Sequence, residues 1–218
     1  MEDRYAILID GGYAKRKLGR ASHFANAEDF RVLIEAIGAH PALAGFRLHR
    51  AYYYDSQPLE SAHNKPLGGS RVEFALEPVA TRSRQLFERL YRLPFVALRL
   101  GELNFEGWAI KPKLLEKAEG DTLRVKHADL VPKISQKGVD MRIGMDIAAL
   151  TLKKQAHIIV LVTGDSDFIP AMKFARREGA QLFLVPLGQR LRPAMHEHSD
   201  LILDIDLPAK NKESEPAT

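Results

Sequence analysis

The sequence predicts an α/β fold in which a mostly parallel central sheet is flanked by helices. Short apolar runs of strand length, Tyr5–Ile9 and Ile158–Val162 foremost, alternate with longer segments of helical spacing. Both of those runs end in polar, glycine-bearing sequence, Asp10-Gly11-Gly12 and Thr163-Gly164-Asp165, as strands do where they leave a buried sheet. No internal repeat or linker divides the 218 residues. One domain over 1–207 is therefore expected, with 101–136 as an inserted middle segment and 208–218 as a polar, disordered tail.

Taken in order, Tyr5–Ile9 reads as a buried strand closed by a tight turn at Gly11-Gly12. Phe30, Leu33, Ile34 and Ile37 recur at helical spacing within 26–39. Phe46–Tyr54 is a second strand, Pro78–Leu93 a helix and Phe95–Leu100 a third strand. The segment from Gly101 to Gln136 mixes Trp108-Ala109-Ile110 and Leu123-Arg124-Val125 with Lys, Gly and Pro, which predicts short strands or hairpins. Beyond it, Val139–Leu152 is a helix with Ile143, Ile147 and Leu150 on one side, and Ile158–Val162 is a strand. Phe168–Arg177 is a helix, and Leu182–Val185 and Leu201–Ile205 complete the strands.

Composition narrows the chemistry. The chain has no cysteine, which excludes disulfides, thiolate metal sites and cysteine nucleophiles, so any metal must be held by oxygen or imidazole. With 32 Lys+Arg against 28 Asp+Glu the formal charge is +4, too mild to identify a nucleic-acid partner by itself. The N-terminus lacks the apolar stretch of a signal peptide, and Ile158–Val162 is too short to span a bilayer, so no membrane partner and a cytoplasmic location are expected.

In parallel α/β sheets, sites gather at the carboxyl ends of the strands. Asp10 ends the first strand, Asp165 and Asp167 follow Ile158–Val162, and Asp140 opens the preceding helix. If the two strands are neighbours, these acids converge and repel, and a divalent cation relieves the repulsion. Mg²⁺ or Mn²⁺ suits carboxylate oxygens and favours hydrolysis of a phosphate ester. Asp140 and Asp167 have an alternative as helix N-caps, whereas at Asp10 the Gly-Gly pair already supplies the turn. Asp146 is a weaker candidate for the metal set, because six residues place it roughly 120° around the helix from Asp140.

Substrate contacts are sought among Lys15, Arg16, Lys17, Lys137, Thr163 and Ser166, which lie next to these acids in the chain. The basic run continues to Arg20, and a second one, Arg82, Arg84, Arg89 and Arg92, lies on the helix from Pro78. Such runs also serve as plain solvated faces, and only the first gains weight from its position. His196 and His198 are spaced poorly for zinc, and Tyr52–Tyr54 and Trp108 fit packing better than base stacking.

Three motifs in order, Ile7-Leu8-Ile9-Asp10-Gly11-Gly12-Tyr13, Lys137-Gly138-Val139-Asp140 and Thr163-Gly164-Asp165-Ser166-Asp167-Phe168, resemble the NYN domain, a branch of the PIN-like nucleases. The resemblance implies a Rossmann-like PIN-type fold and a metal-dependent endoribonuclease acting on single-stranded or structured RNA. It carries the catalytic and metal-holding role onto Asp10, Asp140, Asp165 and Asp167, and places an acid at Asp146. Tyr13 departs from it, since many members have Asn there, and 101–136 has no counterpart in a minimal domain, which makes that segment a candidate for substrate choice or homodimer formation. The competing reading is a non-catalytic RNA-binding or regulatory module that retains the acidic pocket. A phosphatase of the haloacid dehalogenase type ranks lower, because the second acid it needs is replaced by Gly12.

Overall fold

The computed structural model describes residues 3–19, 23–116 and 120–207. The expected tail at 208–218 and Arg20 of the first basic run lie outside the described residues. In chain order the elements are β1 (Arg4–Asp10), α1 (Gly11–Leu18), α2 (Ala27–Gly38), β2 (Arg47–Ser56), β3 (Ala62–Asn64), β4 (Arg71–Glu73), α3 (Pro78–Leu90) and β5 (Val96–Ile110). They continue with α4 (Pro112–Leu115), β6 (Leu130–Lys137), α5 (Val139–Leu152), β7 (Ile158–Val162), α6 (Ile169–Arg177), β8 (Gln181–Val185), α7 (Pro193–Glu197) and β9 (Leu201–Ile202).

Seven strands form one sheet in the order β6-β5-β2-β1-β7-β8-β9, and every neighbouring pair except β5–β6 is parallel. The mixed α/β architecture expected from the periodicity is therefore present. From β1 the chain winds outward through β2 to β5, then returns to the other side of β1 for β7, β8 and β9. Right-handed crossovers require the helices of the two halves to lie on opposite faces. Accordingly Ile7 and Ile9 pack with Phe30, Leu33 and Leu86 of α2 and α3, while Ala6 and Leu8 pack with Ile143, Ile147 and Met172 of α5 and α6. Because both faces are covered, the central strands are continuous apolar runs; residues 6–9 and 158–162 are at most 1% exposed. Full burial of each such Leu or Ile contributes about 1.5–3 kcal/mol before the cost of ordering the chain.

Four expectations change. Gly11-Gly12 is the first turn of α1, not a free turn. That helix can start there because Gly11 lacks a side chain: a Cβ would stand 2.5 Å from the Tyr54 carbonyl oxygen and 2.6 Å from the Tyr53 ring. The strand expected to stop at Leu100 runs on as β5 to Ile110, so that of the short strands or hairpins expected in 101–136 one long hairpin forms, with β6 beside β5 and a register shift between Phe105 and Gly107. The last strand stops at Ile202, not Ile205. Finally, β3 and β4 form a separate two-stranded sheet that the sequence did not signal. Tyr52, Tyr53 and Tyr54 are buried, and Trp108 packs against Phe105 and Phe74 while its indole N–H donates to the Asn64 carbonyl at 3.1 Å. Among the described residues no helix is long and apolar enough to cross a membrane.

Candidate functional site

The strand order reverses between β1 and β7, and that is where the acids meet. Ile9 lies in register with Val162, so Asp10 and Thr163 leave the sheet side by side. The Asp10 carboxylate accepts from the Tyr13 amide at 3.0 Å and from the Thr163 hydroxyl at 3.1 Å. Thr163, fully buried, in turn accepts from the Asp165 amide at 3.2 Å. One hydroxyl thus ties the end of β1 to the loop after β7. The Asp165 carboxylate then accepts from the Asp167 amide at 3.0 Å and fixes the short turn Ser166–Phe168.

Capping falls on other residues than the sequence suggested. Asp10 and Asp165 cap the segments that follow them, whereas α5 starts behind Gly138 at φ 77° with no side-chain cap. Asp140 is therefore left in the first turn of α5 without that duty. Its carboxyl is pushed above the ordinary range by burial and by the charges of Asp165 and Asp167. Asp10 is raised as well, by burial first and by the Asp140 charge, against the opposing pull of the Tyr13 amide, the Thr163 hydroxyl and Arg16. The four acids thus share one electrostatic neighbourhood. They do not form a tight cage: among the described residues no three acids or imidazoles are grouped to hold one ion. The all-oxygen donor set is of the kind that suits a hydrated Mg²⁺ or Mn²⁺, which keeps several waters and takes one or two carboxylates directly.

Asp146 points elsewhere. Its carboxylate accepts from the Tyr54 hydroxyl at 2.8 Å and from Arg99 at 3.0 Å. The substrate candidates also divide. Lys15 is bound to Asp55 at 2.6 Å, Arg16 acts on Asp10 through its charge, and Lys17 lies over the Tyr13 ring at 5.7 Å. Lys137 ends β6 opposite Glu102, exposed. Ser166 accepts from Arg192 at 2.9 Å. Tyr13 does not face the acids with its hydroxyl, which donates to the Pro186 carbonyl; burial, then the Asp10 charge, pushes its phenol up to about 12.

Three residues of this edge escaped the sequence reading. Asp55 is the last residue but one of β2, as Asp10 is the last of β1, so the signal was again an acid at a strand's carboxyl end. Gln189 donates to the Gly164 carbonyl at 3.3 Å, and Arg192 reaches Ser166, both from the loop after β8. Their signal was position alone, at the carboxyl end of a parallel strand.

Comparisons with known proteins accord with this architecture. A crystallised protein of unknown function from Vibrio parahaemolyticus, VPA0982, is 17% identical, covers 94% of each chain and superposes with a TM-score of 0.50, which shows a shared fold. The uncharacterized protein MJ0482 of Methanocaldococcus jannaschii is 28% identical over 74 residues, 34% of this chain, and the match spans only 31% of that protein's length. The family model of the NYN domain matches residues 104–202, which include Asp140, Asp165 and Asp167 but not Asp10. Over these residues the chain is similar to the NYN domain, whose family is one of ribonuclease-like hydrolases of PIN-like fold.

Proposed function

We propose that the protein is a Mg²⁺- or Mn²⁺-dependent endoribonuclease whose site comprises Asp10, Asp140, Asp165 and Asp167. The observation that carries this reading is the convergence at the strand switch, where the Thr163 hydroxyl joins Asp10 to the Asp165 loop, and the Asp140 charge acts on Asp10. Groups shifted by burial and like charge in such a position are typical of sites awaiting a cation. Asp10 and Asp140 would hold the ion, with Asp165 and Asp167 beside them. The ion, when bound, supplies a more acidic water and offsets charge on the phosphate. The chain's own contribution is orientation: the Tyr13 amide and the Thr163 hydroxyl fix both oxygens of Asp10. Arg16 supplies positive charge beside it for the flanking RNA phosphates.

Cleavage of a labelled single-stranded RNA should require Mg²⁺ or Mn²⁺, stop with EDTA, and fall by about 10²-fold or more in Asp10→Asn and Asp165→Asn. Undiminished cleavage by both variants would remove these acids from the reaction. The loose spacing of the acids favours the second reading, a non-catalytic RNA-binding module; RNA retention without turnover under any divalent ion would establish it instead.

A further inference from the structure

A cavity of ≈ 520 Å³ lies between the C-terminal part of α1, residues 23–25 and α3. Phe24, 61% exposed, stands at it, with the Arg82 guanidinium 3.9 Å from its ring centroid. Lone exposed aromatics are ordinary, but this one stands at a concave site of ligand size and carries a cation on its face. Lys15, Arg16 and Arg82 supply charge, Val79 and Leu86 supply apolar wall, and among the described residues none of the lining is acidic. Arg82 belongs to the basic run that sequence position alone had left without weight. A second cavity of ≈ 420 Å³ shares Lys15, Arg16, Val79 and Ser83 with the first and reaches Gly12, the second residue after Asp10. The two cavities adjoin along Lys15 and Arg16, and the second lies against Gly12, where a Cβ would stand 3.5 Å from the Asp10 carboxylate. Lys15 is fixed there by Asp55, itself bonded by the Tyr53 hydroxyl at 2.8 Å.

We propose that the Phe24–Arg82 pocket is a nucleobase-binding subsite, which takes an unpaired base of a polynucleotide strand whose phosphates run past Lys15 and Arg16 toward the acids. A planar base can stack on the exposed Phe24 ring, beside the guanidinium or in its place, and a linked phosphate matches the cations between pocket and acids. A duplex keeps its bases stacked inside and cannot fill the pocket, so the subsite selects single-stranded segments. The inference rests on the nuclease reading for the direction of the strand, but binding by itself tests it.

The test is fluorescence anisotropy of labelled hexauridylate and hexaadenylate, and of an abasic ribose-phosphate strand of the same length, with the full chain in EDTA. Phe24→Leu, which keeps apolar bulk but removes the ring, should weaken binding of the base-bearing strands by at least about fivefold. Phe24→Tyr should bind like the wild type, and the abasic strand should not distinguish Phe24→Leu from wild type. Equal binding of base-bearing strands by wild type and Phe24→Leu, or no binding of them by the wild type, overturns the proposal. Because cleavage is scored separately with Mg²⁺, the two readings fail independently. Cleavage by a wild type whose binding ignores Phe24→Leu leaves the nuclease without this pocket, and ring-dependent binding without cleavage leaves the pocket without the nuclease.

Discussion

Asp10 and Asp55 lie at the carboxyl ends of neighbouring parallel strands, one residue out of register, yet they live in opposite surroundings. Asp55 is paired with Lys15 and receives the Tyr53 hydroxyl and the Ser56 amide. Asp10 has hydrogen bonds but, among the described residues, no ion-pair partner; Arg16 acts on it only through its charge, and a like charge lies nearby at Asp140. The same contrast recurs within α5, where Asp146 is neutralised by Arg99 while Asp140 faces Asp165 and Asp167. On the β2–β5 side the protein compensates its own acids. On the β1–β7 side no ion pair among the described residues does so, and that difference, more than the presence of acids, marks out the candidate site.

The contrast can be broken from either side. The largest effect is expected on the paired side: Lys15→Met leaves the Asp55 carboxylate buried without a cation and should cost about 2 kcal/mol, less than for a fully buried pair because Lys15 is partly exposed. A lowered urea midpoint would show it, the double variant with Asp55→Asn should recover part of the loss, and an unchanged midpoint would mean that the pair is not structural.

Divalent ions act on the other side. Mg²⁺ at tenfold its dissociation constant should raise the wild-type melting temperature by about 3–5 °C through mass action, and much less in the Asp10→Asn/Asp140→Asn protein. Equal shifts in the two proteins would place the ion elsewhere.

The smallest effect is the relief of repulsion. Because the Asp140 carboxyl is raised in the folded chain, the folded state binds more protons than the unfolded one between the two pKa values, and stability falls as pH rises through that window. Without metal, Asp140→Asn should therefore melt about 1–2 °C higher than wild type at neutral pH. The gain should vanish as pH drops below the ordinary carboxyl value of 3.8. Paired melting curves across pH measure it; a constant offset would point to a cause other than charge.

The elements most legible in the sequence were those whose environment is uniform. β7 and α5 were placed at their observed bounds, because a strand covered on both faces is a plain apolar run and α5 buries Ile143, Ile147 and Leu150 at regular spacing. α1 was hidden because two glycines open it and three consecutive basic residues follow, and its formation depends on the Asp10 cap and on the fit of Gly11 against β2. β5 was cut short at Leu100 because Gly101 and Gly107 read as punctuation. Yet Gly101 is needed where a Cβ would meet the Lys137 carbonyl oxygen at 2.5 Å, and Gly107 takes φ 112° beside the register shift. Of the site, the strand-ending acids could be read from the sequence. Which of them the protein neutralises could not, since Lys15–Asp55 and Arg99–Asp146 join residues 40 and 47 positions apart.

The central pairing of β1 with β7 also bears on how the molecule is made. Ile9 meets a strand partner more than 150 residues further along the chain, and Asp10 owes one of its two hydrogen bonds to Thr163. Contacts of such sequence separation form late, because the loop-closure entropy must be met before they stabilise anything. A ribosome-bound chain that has emerged only as far as Leu152 holds Asp10 and Asp140 but neither Thr163 nor the other two acids. The acidic edge is therefore assembled after most of the chain has been synthesised, so the nascent chain passes along its template before the complete set of four acids has come together.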